Sequence, residues 1–267
     1  MTFQAKPAPH VILTRPAQDA AAWVEPLQDA GFNVSVFPLL ELSALMSEDE
    51  ADKTAKLVLQ SQAVMFVSAN AVRFLAAALI NFPTWRKHFE HAARAWCTGP
   101  GTAAALQACG IPSGQIDQPS DQATLLDSES LWQVVSPQVS KGMTVLIVRG
   151  ADETGAIAGR HWLTQQLENS NVHVQAVAAY RRMAVVLGPE QKAKVMAFNQ
   201  NGAVWLFSSS AAIEGLMSQC PALDWSKAKV VVTHPRMAEM AKKFGCLHIS
   251  IASPGIRSML ASIKSLA

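Results

Sequence analysis

The chain has 267 residues, of which half are hydrophobic and 16% charged, and its formal net charge is +2. That length allows one large domain or two of ordinary size around a real core. The sparse, mixed charge offers no basic block for a nucleic-acid backbone, and the apolar runs are too short and interrupted for a membrane span of roughly 20 residues.

The opening stretch "MTFQAKPAPHVILTRP" has a polar lead and then a strand-like run. It lacks the apolar segment and small-residue cleavage site of a secretory signal, so a cytoplasmic protein is expected. Cys97, Cys109, Cys220 and Cys246 show no CxxC spacing and read as free thiols of a reducing compartment.

Strands and helices alternate along the chain. "HVILT" (10–14) reads as a strand and 17–31 as a helix closed by Gly31, with Pro26 predicting a kink or a break. "NVSVFP" is a strand again. Ser47 with Glu50 has the spacing of a capping box and opens a helix to about Gln60. "AVMFVS", "RAWCT", "MTVLIVRG", "VHVQAVAAY", "AVWLFS", "AKVVVT" and "LHISIA" follow as strands, nearly all separated by helical patterns. This alternation predicts an α/β protein with parallel sheets covered on both faces, divided into two domains.

The chain also repeats itself. "FVSANAV" (66–72) resembles "FSSSAAI" (207–213), "CTGPGTAAALQACG" (97–110) resembles "VTHPRMAEMAKKFG" (232–245), and "VILTRP" (11–16) resembles "VLIVRG" (145–150). The offsets are 141, 135 and 134 residues, which predicts two related domains with matching strand-to-helix turns.

Those turns supply the candidate binding residues: Thr14 and Arg15; Ser68, Ala69 and Asn70; Thr98, Gly99, Gly101 and Thr102; Arg149 and Gly150; Ser208, Ser209 and Ser210; Thr233 and Arg236; and Arg160 after the loop "GADETGAIAG". A helix start exposes unpaired N–H groups and the positive end of a dipole, and small residues let an anion approach. Taken singly, each turn also reads as ordinary N-capping; taken together they favour a polyanion site. Arg15, Arg149 and Arg160 suit bidentate carboxylate binding or a strand-end ion pair.

"TGPGTAA" fits the loose dinucleotide pattern, with Asp121 following 20 residues after Gly101. It falls after several strands rather than in the first turn of a domain, and its counterpart "THPRMA" has no glycine, which argues against a nicotinamide or flavin. His88 and His91 gather no ligand set, so no metal is expected, and "WRKHFEHAAR" reads as a solvated helix. No nucleophile assembly and no P-loop appear.

At this point a family resemblance emerges. The opening "VILTRPAQDAAAWVEPLQDAGFNVSVFPLLEL", then "MFVSANAV", "WCTGPGTAAAL", "VLIVRGADETGAIAGRHWLTQQL", "VAAYRR", "WLFSSSAAI" and "VVTHPRMAEMAKKFG", resemble the uroporphyrinogen-III synthases in order and over nearly the whole chain. The resemblance implies two flavodoxin-like domains joined by a two-stranded linker: 1–37 with 183–267, then 43–177, with linker strands 38–42 and 178–182. It implies cyclisation of hydroxymethylbilane with inversion of the last ring and loss of water, without cofactor or metal. Tyr180, the single tyrosine of the chain, is then expected on the wall of a cleft between the domains, assisting departure of the substrate hydroxyl. Met237 stands where the matching position of the other domain is Thr102, a departure that weakens this turn as a ligand contact. The implied partner is a linear tetrapyrrole polycarboxylate bound by a monomer, and a transient contact with the preceding pathway enzyme is left open. The competing expectation is a two-domain anion-binding protein without catalysis.

Overall fold

The computed structural model describes residues 8–120, 126–157, 161–253 and 255–266. The chain divides into two units. One holds the residues up to Glu41 and from Met183 onward; the other is Leu42–Arg182.

In the first unit, β1 (His10–Leu13), β2 (Asn33–Val36), β9 (Val204–Leu206), β10 (Lys229–Val232) and β11 (His248–Ile251) form a sheet in the order β11-β10-β9-β1-β2. The four pairings are parallel. Numbered within the unit, this is the doubly wound order 2-1-3-4-5. The central strands are apolar throughout because both faces are covered. Ile12, Trp205, Val230 and Val232 pack on one side with α9 (Ser210–Gln219) and α10 (Pro235–Lys243), and α8 (Pro189–Gln200) adds Val195. Val11, Leu13, Val204, Leu206 and Val231 pack on the other with α1 (Ala17–Asp29) and α11 (Ile256–Leu266). The helix expected to be kinked or broken at Pro26 is not broken: it runs over Ala17–Asp29 with Pro26 inside, and Gly31 follows its end at φ 86°. That left-handed conformation is the reason a glycine stands there.

In the second unit, β4 (Ala63–Phe66), β5 (Arg94–Cys97), β6 (Ile116–Asp117), β7 (Thr144–Ala151) and β8 (His173–Ala184) are joined by β3 (Leu40–Ala44), giving the order β3-β8-β7-β4-β5-β6. Val64, Phe66, Ala95, Cys97, Leu146 and Val148 meet α2 (Glu48–Gln60), α3 (Ala69–Ala78), α4 (Thr84–His91) and α5 (Pro100–Ala108) on one face. Ala63, Met65, Trp96, Val145 and Ile147 meet α6 (Ser128–Val135) and α7 (Trp162–Asn169) on the other. The capping box at Ser47 and Glu50 forms as its spacing predicts. The segment expected to be a solvated helix is instead anchored, because Trp85 and Phe89, one turn apart on α4, are fully buried. Of the regions expected as linker strands, 40–42 fall in β3 and 178–182 in the second half of β8, which is itself a strand of this unit's sheet.

Apart from β3, the two sheets are permuted copies. Matching β7 to β1, β8 to β2, β4 to β9, β5 to β10 and β6 to β11 superposes the strand orders, and the sequence repeats give three of these matches, β7 to β1, β4 to β9 and β5 to β10. Each sheet has a point where the chain turns from one direction of winding to the other: β1/β9 in the first unit and β7/β4 in the second. The crevice outside the carboxyl ends of such a strand pair is where open α/β sheets bind ligands.

Candidate active site

The expected residues that the structure describes fall at or near those edges. In the second unit, Ser68 follows β4 and is the N-cap of α3; its Oγ accepts the Ala71 N–H at 3.1 Å. Ala69 and Asn70 open the helix, and Arg73 donates to Asn70 Oδ1 at 3.1 Å. Thr98 is half-buried in the next turn. Gly99 caps α5 with extended backbone, so its value there is lack of bulk rather than a special φ. Gly101 is exposed in the first turn of α5, with open space where a side chain would begin.

Thr102 faces inward, and so does Met237 at the matching place in α10. Both side chains belong to the packing, so the substitution between them gives no reason to rank the two turns differently.

Tyr180 is placed by a fault in the ladder between β7 and β8. Arg149 pairs with Ala178, but Gly150 pairs with Tyr180, so Ala179 is the extra residue of a bulge. A regular strand would send Ala179 and Tyr180 to opposite faces; here both are buried in the same core. The ring then lies against Gly150. A Cβ at that glycine would stand 2.7 Å from the Tyr180 ring, closer than atoms tolerate. Phe74 of α3 stacks on the ring with centroids 5.3 Å apart. Tyr180 is 4% exposed, and its hydroxyl is 3.2 Å from Ser68 Oγ.

Arg149 is only 6% exposed. Burial lowers its pKa, and the nearby charge of Arg182 pushes the same way; a guanidinium stays cationic in proteins regardless. Two cationic side chains, Arg149 and Arg182, thus stand close enough at this end of the unit to feel each other's charge.

The first unit carries a related edge. Thr14 is buried, and its hydroxyl donates to the Leu206 carbonyl at 2.7 Å, tying β1 to β9 at the turning point of the sheet. Arg15 lies over the Trp23 ring at 4.3 Å; burial lowers its pKa and Asp19 offsets part of that. Ser208 and Ser210 flank Ser209, the N-cap of α9, which makes no side-chain capping bond. Thr233 is half-buried beside His234, whose Nδ1 accepts the backbone N–H of Arg236 at 3.1 Å. The Arg236 residue is exposed. Arg160 and Asp121 lie outside the described residues.

Among the described residues, no group of three or more His, Cys, Asp or Glu gathers in a way that could hold a metal ion, and no helix is long and apolar enough to cross a membrane. Phe74 is a part of the arrangement that the motifs do not single out, and Ala179 and Arg182 stand in "VAAYRR" but not among the candidate site residues.

A model of the family described as uroporphyrinogen-III synthase HemD matches residues 21–261. The chain belongs to the uroporphyrinogen-III synthase family. Within that family it is 28% identical over 148 residues to the uroporphyrinogen-III synthase of Chlorobaculum parvum, an alignment covering 55% of each protein. The chain thus spans about half the length of the curated relative it matches. Two solved structures share the fold over 97% of the chain. One is a mutant uroporphyrinogen III synthase of Thermus thermophilus, with TM-score 0.60, 15% identity and 98% of that chain covered. The other is uroporphyrinogen-III synthetase of Helicobacter pylori, with TM-score 0.61, 16% identity and 100% covered. At such identities they support the α/β fold and nothing finer.

Proposed function

We propose that this protein closes hydroxymethylbilane to uroporphyrinogen III, inverting the last ring and releasing water. The observation that carries the reading is the family match over residues 21–261. The local geometry supports it. The substrate is a many-armed carboxylic acid, and the helix starts at Ser68–Asn70 and Gly99–Gly101 present backbone N–H groups and positive dipole ends beside small residues. Hydrogen bonds to charged groups contribute roughly 1.5–3 kcal/mol each. A few of them bind and orient such a substrate without a strongly basic protein, in keeping with the net charge of +2. Ser208–Ser210 and Thr233 offer the first unit's version of the same chemistry.

Because the substrate also closes unaided to the uninverted isomer, the protein's task is to hold a shape and assist one departure. Tyr180 is the proposed proton source for the leaving hydroxyl. A phenol donates a hydrogen bond without the charge that would repel or trap a polycarboxylate.

An isomer-resolved assay tests the reading: purified protein with hydroxymethylbilane is expected to yield the type III product. Type I alone, formed at the rate without enzyme, removes the proposal; binding without turnover would return the chain to the anion-binding reading.

A further inference from the structure

Ser68 and Tyr180 form a pair whose hydrogen-bonding capacity can be counted. A serine hydroxyl has one donor proton and two acceptor lone pairs. Ser68 Oγ accepts from the Ala71 N–H at 3.1 Å and lies 3.2 Å from the Tyr180 hydroxyl oxygen. Tyr180 is 4% exposed, with Gly150 against its ring and Phe74 stacked on it. Ser68 is only half-buried and stands at the open carboxyl end of β4, so it is the hydroxyl that a ligand at this edge meets first. If Tyr180 donates to Ser68, both lone pairs of the serine are filled and its own proton is left for an incoming group.

We propose that Ser68 is a catalytic residue of the reaction assigned above, giving its proton to the departing hydroxyl and being resupplied by Tyr180. This rests on the proposed function. The C–O bond of the hydroxymethyl group breaks with its electron pair on oxygen; that oxygen takes the Ser68 proton and leaves as water. Ser68 Oγ takes the Tyr180 proton. The cationic carbon accepts an electron pair from the terminal pyrrole at the carbon that already carries the bridge to the neighbouring ring. That bridge bond then breaks and re-forms at the ring's free position, which inverts the ring, and the proton shed from that position as the ring regains aromaticity returns through Ser68 to Tyr180. Nothing is oxidised or reduced, and the net loss is one water. The positive end of α3 faces the transient negative charge on the oxygen pair.

The test compares kcat, KM and product isomer for the wild type, Ser68→Asn, Ser68→Thr, Tyr180→Phe and the double variant S68N/Y180F, with thermal melts to establish that each is folded. Asparagine keeps the helix cap but cannot pass a proton on; threonine keeps both functions. The expected result is that Ser68→Asn lowers kcat about tenfold or more with little change in KM, that Ser68→Thr recovers most of the rate, and that the double variant is no slower than the slower single one. Wild-type kcat in Ser68→Asn, or single effects that multiply in the double variant, overturns the relay alone. A wild type that makes only the type I isomer overturns the functional reading and the relay with it.

Discussion

The two units share a five-strand order up to permutation; the second adds β3, and the matched strands differ most at β8. β8 runs for 12 residues and is bulged where it passes Gly150, whereas its counterpart β2 has 4 residues and pairs with β1 in unbroken register. Arg149 is buried while Arg15 is half-buried on Trp23. Ser68 bonds both its helix and a phenol, whereas Ser209 makes no side-chain capping bond. The difference teaches that the doubly wound frame presents the same kind of strand-to-helix turn twice. The buried phenol belongs to one copy only, set in place by a single extra residue in a strand.

Substitutions can break that contrast. The largest effect is expected from Tyr180→Phe: turnover falls by about a hundredfold, in the range of general-acid contributions, with the melting temperature little changed; an undiminished rate in the isomer assay would reduce Tyr180 to packing. Next comes Gly150→Ala. The new Cβ meets the phenol ring at 2.7 Å, so the variant is expected to lose about 1–3 kcal/mol of stability and most of its turnover. Gly99→Ala is the control for stability alone, since its Cβ would meet only the Leu126 side chain at 3.3 Å, a flexible tip that can move. Denaturant unfolding should separate the two glycines clearly.

Serine caps sharpen the comparison at a smaller scale. Ser68→Ala removes a bond to a helix N–H and is expected to destabilise by about 1 kcal/mol, whereas Ser209→Ala removes none and should change stability by a few tenths. Equal melting shifts for the two would contradict the assigned caps.

One thiol in each unit sets the last expectation. Burial pushes Cys97 and Cys246 up to about 11. In the unfolded chain both ionise near the ordinary thiol value, so the folded state keeps its protons longer. Their contribution is complete below about pH 9 and is lost as pH rises towards 11. Chemical denaturation over that window should show stability falling with pH, less steeply in Cys97→Ala and Cys246→Ala. At neutral pH both thiols should resist alkylation in the native state.

What the sequence made legible follows from the range of the interactions involved. A strand-to-helix turn is local: an apolar run ending in Ser, Thr, Gly or Pro shows both the buried strand and the helix start, as in "FVSANAV" and "CTGPGTAA". The capping box at Ser47 and Glu50 is equally local. The bulge is not, because it depends on how β8 pairs with a strand some thirty residues earlier, and only then does Gly150 become the space into which Tyr180 fits. In α4 the charged residues obscure the two-residue stripe of Trp85 and Phe89, whose spacing of four was the available signal. Pro26 splits no helix for a different reason. It stands in the last turn of α1, so any bend it imposes is followed by only the residues up to Asp29.

Co-crystallisation with the type III product would probe the central claim most directly. Carboxylates of the product are predicted within hydrogen-bond reach of the first-turn N–H groups of α3 and α5, with Ser68 Oγ turned towards the ligand. Density at the opposite, amino-terminal ends of the strands, with these helix starts untouched, would contradict the account.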